Sequence, residues 1–240
     1  SGNILGTTAS VRKITRDELL KFVKEKFQPC RMAFTVVADI DEKLMEKRVL
    51  KLIDKYFGDY PMEDTTQTVS ALSPTVFDKT LNKRNHQANC IIGGLAPSLY
   101  EEKERLATVL LCNILGGPAN NSILNSVLRE KYGWVYGVEC GYTQYADTGI
   151  VTISLGCDKA NLDKCVKAIW KELDKLKSVT MSDRKLKAAK KQLLGQLAIS
   201  GDNGETQCLS MGKSLLSFGK IAGSQENREM VDGITAEDVR

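Results

Sequence analysis

The stretch Leu128-Arg129-Glu130-Lys131-Tyr132-Gly133-Trp134-Val135-Tyr136 constrains this fold more than any other part of the chain. It reads as the last turn of an amphipathic helix, a glycine stop and the first residues of a strand, which makes a helix-to-strand corner. Arg129 stands where the negative end of a helix dipole favours a cation. Gly133 can take the left-handed conformation that ends a helix, and residue types begin to alternate at Tyr136. Such a corner would point a guanidinium and a phenol, seven residues apart, toward the same space. Both are directional hydrogen-bond donors. On local grounds alone the plainer reading is preferred: Arg129 as a dipole-matched surface cation and Tyr136 as an ordinary strand aromatic.

The flanking segments supply what a corner needs to pack against. Two strands follow, about Val135 to Tyr145 and Ile150 to Cys157, joined by Ala146-Asp147-Thr148-Gly149 as a hairpin turn. In the second, Val151, Ile153 and Leu155 alternate with Thr152 and Ser154, which predicts one buried face. Leu162, Cys165, Val166, Ile169, Leu173 and Leu176 form a regular helical stripe that packs on that sheet. Upstream, Glu101 to Leu115 is a helix stopped by Gly116-Gly117, and Asn121 or Ser122 caps the helix that leads to the corner. The glycine loop lacks a following Gly-Lys-Ser/Thr and a preceding strand, so phosphate binding is a weak reading. Val76 to Lys83 and Gln87 to Ala96 read as strands separated by Arg84-Asn85-His86. His86, the single histidine, sits in a polar turn and receives no role. Further helices are expected from Ser182 to about Ile199 and from Thr206 to Phe218, and the lysines of the former read as a solvated face.

A different unit precedes these elements. Thr15-Arg16-Asp17-Glu18 has capping-box spacing, with Leu19, Phe22, Val23 and Phe27 on one helical face. Pro29 ends that helix, Met32 to Asp39 reads as a buried strand, and a helix follows from about Asp41 to Phe57. Residues 60–74 lose periodicity and read as a linker. Near the other end, Ile234-Thr235-Ala236-Glu237-Asp238-Val239 repeats the pattern of Ile14-Thr15-Arg16-Asp17-Glu18-Leu19 at a domain-sized interval. The fold class is α+β: a mixed, largely antiparallel sheet with helices packed on it.

Composition closes off several functions. With 34 Lys and Arg against 30 Asp and Glu, the excess of positive charge is too small to argue for nucleic acid or an anionic membrane. No apolar run reaches membrane-spanning length. Seven cysteines without regular spacing argue against a disulfide framework or a cysteine-ligated zinc site, and Cys90, Cys112 and Cys165 read as small core hydrophobes. Ser1 opens the sequence without a recognisable leader and Arg240 falls in the first turn of a new helix, so a segment of a longer protein is expected. The localisation is not legible.

With these pieces in place the chain resembles the insulinase and pitrilysin type of zinc metallopeptidases, the group that includes mitochondrial processing peptidase. Asn3-Ile4-Leu5-Gly6-Thr7, Ile14-Thr15, Pro29 and Met32 to Asp39 look like the end of that family's first domain. Leu115-Gly116-Gly117, Ser122, Leu128-Arg129-Glu130-Lys131, Gly133, Tyr136 and Gly149 look like the signature of its second. The resemblance implies two homologous domains that close into a chamber. Here 1–59 would be the closing helix-strand-helix of the preceding domain, and 75–240 a second, substrate-clamping domain without zinc, truncated at its C-terminal end.

In such enzymes the first domain carries His-x-x-Glu-His. That motif is absent here, so the resemblance implies no catalytic or metal-ligating residue in this segment and zinc in the intact protein or its partner subunit. Arg129 and Tyr136 match the pair thought to hold substrate carbonyls near the scissile bond, and with the resemblance their functional reading outweighs the plain one. Residue 134 is Trp where the family often has a smaller aliphatic. The implied activity is a zinc metalloendopeptidase acting on peptides, inactive as this segment alone. The alternative is a non-catalytic scaffold or partner subunit. The implied partners are a peptide and an upstream zinc-bearing domain or partner subunit. The first closing element is also expected to dock where the missing one belongs, within the chain or swapped in a homodimer.

Overall fold

The computed structural model describes residues 4–58 and 75–240; the expected linker at 60–74 lies outside them. The chain divides into two compact units, one formed by its first part together with Ile199–Ala222, the other by the segment ending at Ala198 together with Gly223–Arg240.

The second unit is built on a three-stranded antiparallel sheet in the order β1-β3-β2, with β1 Gln87–Ala96, β2 Val135–Gln144 and β3 Gly149–Asp158. The pairing of Gln144 with Gly149 and the Tyr145 N–H bond to the Thr148 carbonyl, 2.8 Å, close the expected hairpin with a four-residue loop. On β3 the alternation holds: Ile153, Leu155 and Cys157 are buried, and Thr152 and Ser154 face the other way. Ala88, Cys90 and Ile92 of β1 join the same inner face. Against it packs α5, Leu162–Ser178, whose Cys165 and Ile169 are fully buried.

Helix α4, Glu102–Gly116, separates two cores. Its Cys112 and Leu115 belong to the sheet core, and its Ala107 and Leu110 to a second core shared with α6, Asp183–Gly201, α8, Ser224–Asp232, and α9, Ala236–Val239. Lys103 on α4 pairs with Asp238 on α9 at 2.7 Å. That ammonium and the Thr235 cap hold the Asp238 carboxyl at about 2, below the usual carboxylate range. The end of α4 runs very close to β2: a Cβ on Gly116 would stand 2.6 Å from the Cys140 amide nitrogen and 2.8 Å from its Cβ. Only a glycine fits there. The paired thiols of Cys112 and Cys140 lie at the same contact, where their hydrogen bond and burial push the Cys140 thiol far up.

The first unit contains α1 Thr8–Lys13, α2 Arg16–Lys26, α3 Glu42–Phe57 and α7 Gly204–Phe218, and none of these helices has a buried residue. The expected capping boxes are formed at both members of the repeat: Thr15 with Glu18, and Thr235 with Asp238. The apolar face foreseen for α2 is formed but stays half exposed, with Leu19, Phe22 and Phe27 each at 54%.

Two expected strands are corrected. Met32 to Asp39 has no ladder partner among the described residues and contributes no strand to the sheet. Its backbone is engaged by a helix instead: the Cys208 thiol of α7 donates to the Thr35 carbonyl at 3.1 Å, and the Thr35 hydroxyl to the Cys208 carbonyl at 2.9 Å. Gly212 makes room for this, since a Cβ there would lie 3.3 Å from the Thr35 hydroxyl. The segment therefore docks on α7 within this chain rather than completing a sheet edge. Val76 to Lys83 is likewise not a strand, and Val76 and Phe77 are 98% and 83% exposed. An apolar run makes a strand only when an edge receives it.

Replacing Gly116 by Ala should force α4 off β2 and lower stability by roughly 1–3 kcal/mol. Gly137→Ala, at a position with open space around it, should be near neutral. Urea unfolding of the two variants compares them directly; equal midpoints would contradict the close packing.

Candidate functional site

The corner is formed, but its helix is not the α-helix the spacing predicts. After two α-helical residues, Ile123 and Leu124, the backbone adopts a π-helix over Asn125–Lys131. Leu124 and Leu128 are fully buried in the sheet core, which anchors this segment. The Asn125 amide, also buried, donates to the Ser122 hydroxyl at 2.8 Å and reaches the Gly117 carbonyl at 3.5 Å. Buried polar groups need such partners, and these tie the glycine loop after α4 to the π-helix. Extra residues in a helical turn recur at functional sites because they re-aim the side chains that follow.

The helix ends as foreseen, with Gly133 at φ +61°. The Gly133 N–H bonds to the Arg129 carbonyl at 3.0 Å and the Trp134 N–H to the Leu128 carbonyl at 2.9 Å. Each bond spans one residue more than in the usual glycine-terminated α-helix, as the wider turn requires. Two residues later β2 is bulged. Val135 pairs with Cys157 but Gly137 with Gly156, so Tyr136 is the extra residue. Val135 and Val138 can then both point into the core, and Tyr136 is left outside at 62% exposure. A bulge at an edge strand is a device for aiming one side chain.

Tyr136 donates its phenol proton to Asp158 Oδ1 at 2.6 Å. That bond and the carboxylate charge raise the phenol's pKa, so the group remains protonated well into alkaline pH. Arg129, at the C-terminal turn of the π-helix, is exposed, and its guanidinium makes no hydrogen bond or ion pair among the described residues. The two predicted site residues thus flank a short, backbone-locked corner, and no direct bond joins them. Sequence reasoning missed Asp158. Asp158 falls just past the end of the predicted strand Ile150 to Cys157, beside a bulge that no local pattern announces.

Between Arg129 and Tyr136 the rings of Tyr132 and Trp134 stack with centroids 4.2 Å apart and planes 10° from parallel. Lys131 Nζ lies 4.9 Å from the Tyr132 ring centre and Lys164 Nζ 5.8 Å from that of Trp134. Among the described residues no group of three His, Cys, Asp or Glu side chains could hold a metal ion, and His86 is exposed in its loop. The described residues do not fit a zinc site.

Residues 13–193 match the family described as peptidase M16 inactive domain. A Bacillus subtilis protein named uncharacterized zinc protease YmxG is 26% identical over 218 residues, covering 90% of this chain and 51% of that protein. The mitochondrial-processing peptidase subunit beta of Saccharomyces cerevisiae is 23% identical over 251 residues, covering 98% and 54%. The chain spans about half the length of the curated relatives it matches. Among solved structures, a protease from Helicobacter pylori superposes with a TM-score of 0.74 at 17% identity, over 98% of this chain and 57% of that one. A peptidase M16 inactive domain from Pseudomonas fluorescens does so at 0.73 and 20% identity, over 98% and 55%. The expected α+β peptidase fold is therefore the observed one, and the chain belongs to the peptidase M16 inactive domain family.

Proposed function

We propose that this chain is the substrate-clamping half of a two-domain zinc peptidase, with Arg129 and Tyr136 as the residues that hold the peptide. The observation that carries this reading is the bulge at Tyr136, which takes a phenol out of the core pattern and leaves it protonated beside Asp158. Arg129 supplies an exposed guanidinium with no competing partner among the described residues. Two donors of this kind suit peptide carbonyls, and they help most where negative charge develops on a carbonyl oxygen. The rigid corner counts because donors fixed in advance need no reorganisation.

The zinc that the relatives' names imply belongs, in this reading, to a preceding homologous domain or a partner subunit, where it would supply the chemistry of water activation. Residues 1–59 are the closing element of that preceding domain, and 75–240 the clamping domain. The half-exposed apolar face of α2 supports this, because such a stripe needs a partner surface.

In the intact protein Arg129→Ala should lower kcat/KM for peptides by about 10²-fold and Tyr136→Phe by about tenfold, with zinc content and melting temperature nearly unchanged. Parallel losses of turnover and of folded protein would refute the clamp. Asp158 sets the phenol's state, so Asp158→Asn should let one tyrosine ionise at lower pH, read by tyrosinate absorbance or tyrosine-labelled NMR; an unchanged titration would remove Asp158 from the site.

A further inference from the structure

The outer face of the sheet carries polar side chains that the clamp does not use. On β1 the residues Ala88, Cys90 and Ile92 pack on the core, so Gln87 and Asn89 point outward, with Gly156 and Asp158 of β3. Asn89 stands directly opposite Gly156, and Gln87 opposite Asp158, which holds the Tyr136 phenol. The space left by the missing side chain of Gly156 is taken: a Cβ there would overlap the Gln87 amide nitrogen and stand 3.5 Å from Asn89 Oδ1. Two carboxamides from one edge strand thus converge on a single point of the sheet surface. Both side chains are exposed, and among the described residues neither makes a hydrogen bond.

The geometry points to Gln87 and Asn89 as a second hold on the peptide main chain, one that continues the clamp across the sheet from Tyr136. This rests on the clamping role proposed for Arg129 and Tyr136. A carboxamide offers a donor and an acceptor side by side, as a peptide unit does, so it can take a backbone N–H as well as a carbonyl. A guanidinium has no acceptor, and the peptide's own N–H groups need a partner elsewhere. Both carboxamides are neutral, which suits an uncharged backbone rather than an ionic side chain. The floor suits it too: Gly137, paired with Gly156 from the other side, has open space where its Cβ would be. With β3 between β1 and β2, the carboxamides lie two strand spacings from Tyr136, about 10 Å or about three residues of extended peptide.

The test uses the intact protein and a series of substrate peptides in which one backbone nitrogen at a time is methylated, which removes that donor and keeps every side chain. At a position about three residues from the scissile bond, methylation should raise KM about tenfold. In the double variant Gln87→Ala, Asn89→Ala, KM for the unmethylated peptide should rise by about the same factor, and methylation at that position should add nothing further. Gly156→Ala keeps both amides but displaces Gln87, and it should abolish the same methylation effect. An unchanged KM in the double variant overturns the second hold, and so does a methylation penalty that is the same in both proteins at every position. Failure of the clamp reads differently: Arg129→Ala and Tyr136→Phe would then leave turnover of every peptide unchanged and remove both holds, whereas an inert double variant beside a damaging Arg129→Ala removes only this one.

Discussion

Two backbone hydrogen bonds, from Gly133 to the Arg129 carbonyl and from Trp134 to the Leu128 carbonyl, hold the corner on which the site depends. They can form together because Gly133 adopts the left-handed conformation, which costs a residue with a Cβ about 1 kcal/mol or more. On one side they fix the buried Leu124 and Leu128, which key the π-helix into the sheet core. On the other they start β2 with Val135 inward, and the bulge then turns Tyr136 out. The exposed donors are thus positioned by residues that are themselves fully buried. Gly116 contributes at a distance, since its missing side chain lets α4 and the loop after it approach β2.

Much of this was legible in the sequence, for reasons that differ by element. The alternation in β3 and the apolar stripe of α5 are long periodic patterns with one burial solution, and both are as read. The stop at Gly133 was legible because its conformation is nearly exclusive to glycine. The π-helix and the bulge were not, since each adds a residue through packing and leaves the local pattern unchanged. Met32 to Asp39 and Val76 to Lys83 show the converse. Their patterns suit strands, but a strand exists only when another strand accepts it, and among the described residues none does. Asp158 was invisible because its place in the site comes only from its bond to the bulged Tyr136.

The contrast between the two units bears on the functional reading. Every buried hydrophobic residue described lies between Ala107 and Val239, while the helices of the first unit keep their apolar faces half exposed. Both members of the repeat nevertheless form the same capping box, at Thr15 and at Thr235. The local helix signal is therefore satisfied at both members of the repeat, and among the described residues it is tertiary cover that the helices of the first unit lack. In the proposed two-domain peptidase that cover comes from the preceding domain. The contact between Thr35 and α7 has a local cause as well, in the space left by Gly212.

The claim at the centre of this account is that the corner from Arg129 to Tyr136 touches the peptide. A substrate-length peptide with a photoreactive residue near its scissile bond, cross-linked to the intact protein and mapped by mass spectrometry, tests it most directly. The account predicts attachment within residues 129–136 or at Asp158. Attachment confined to α2 and α3, with none between residues 128 and 158, would contradict it.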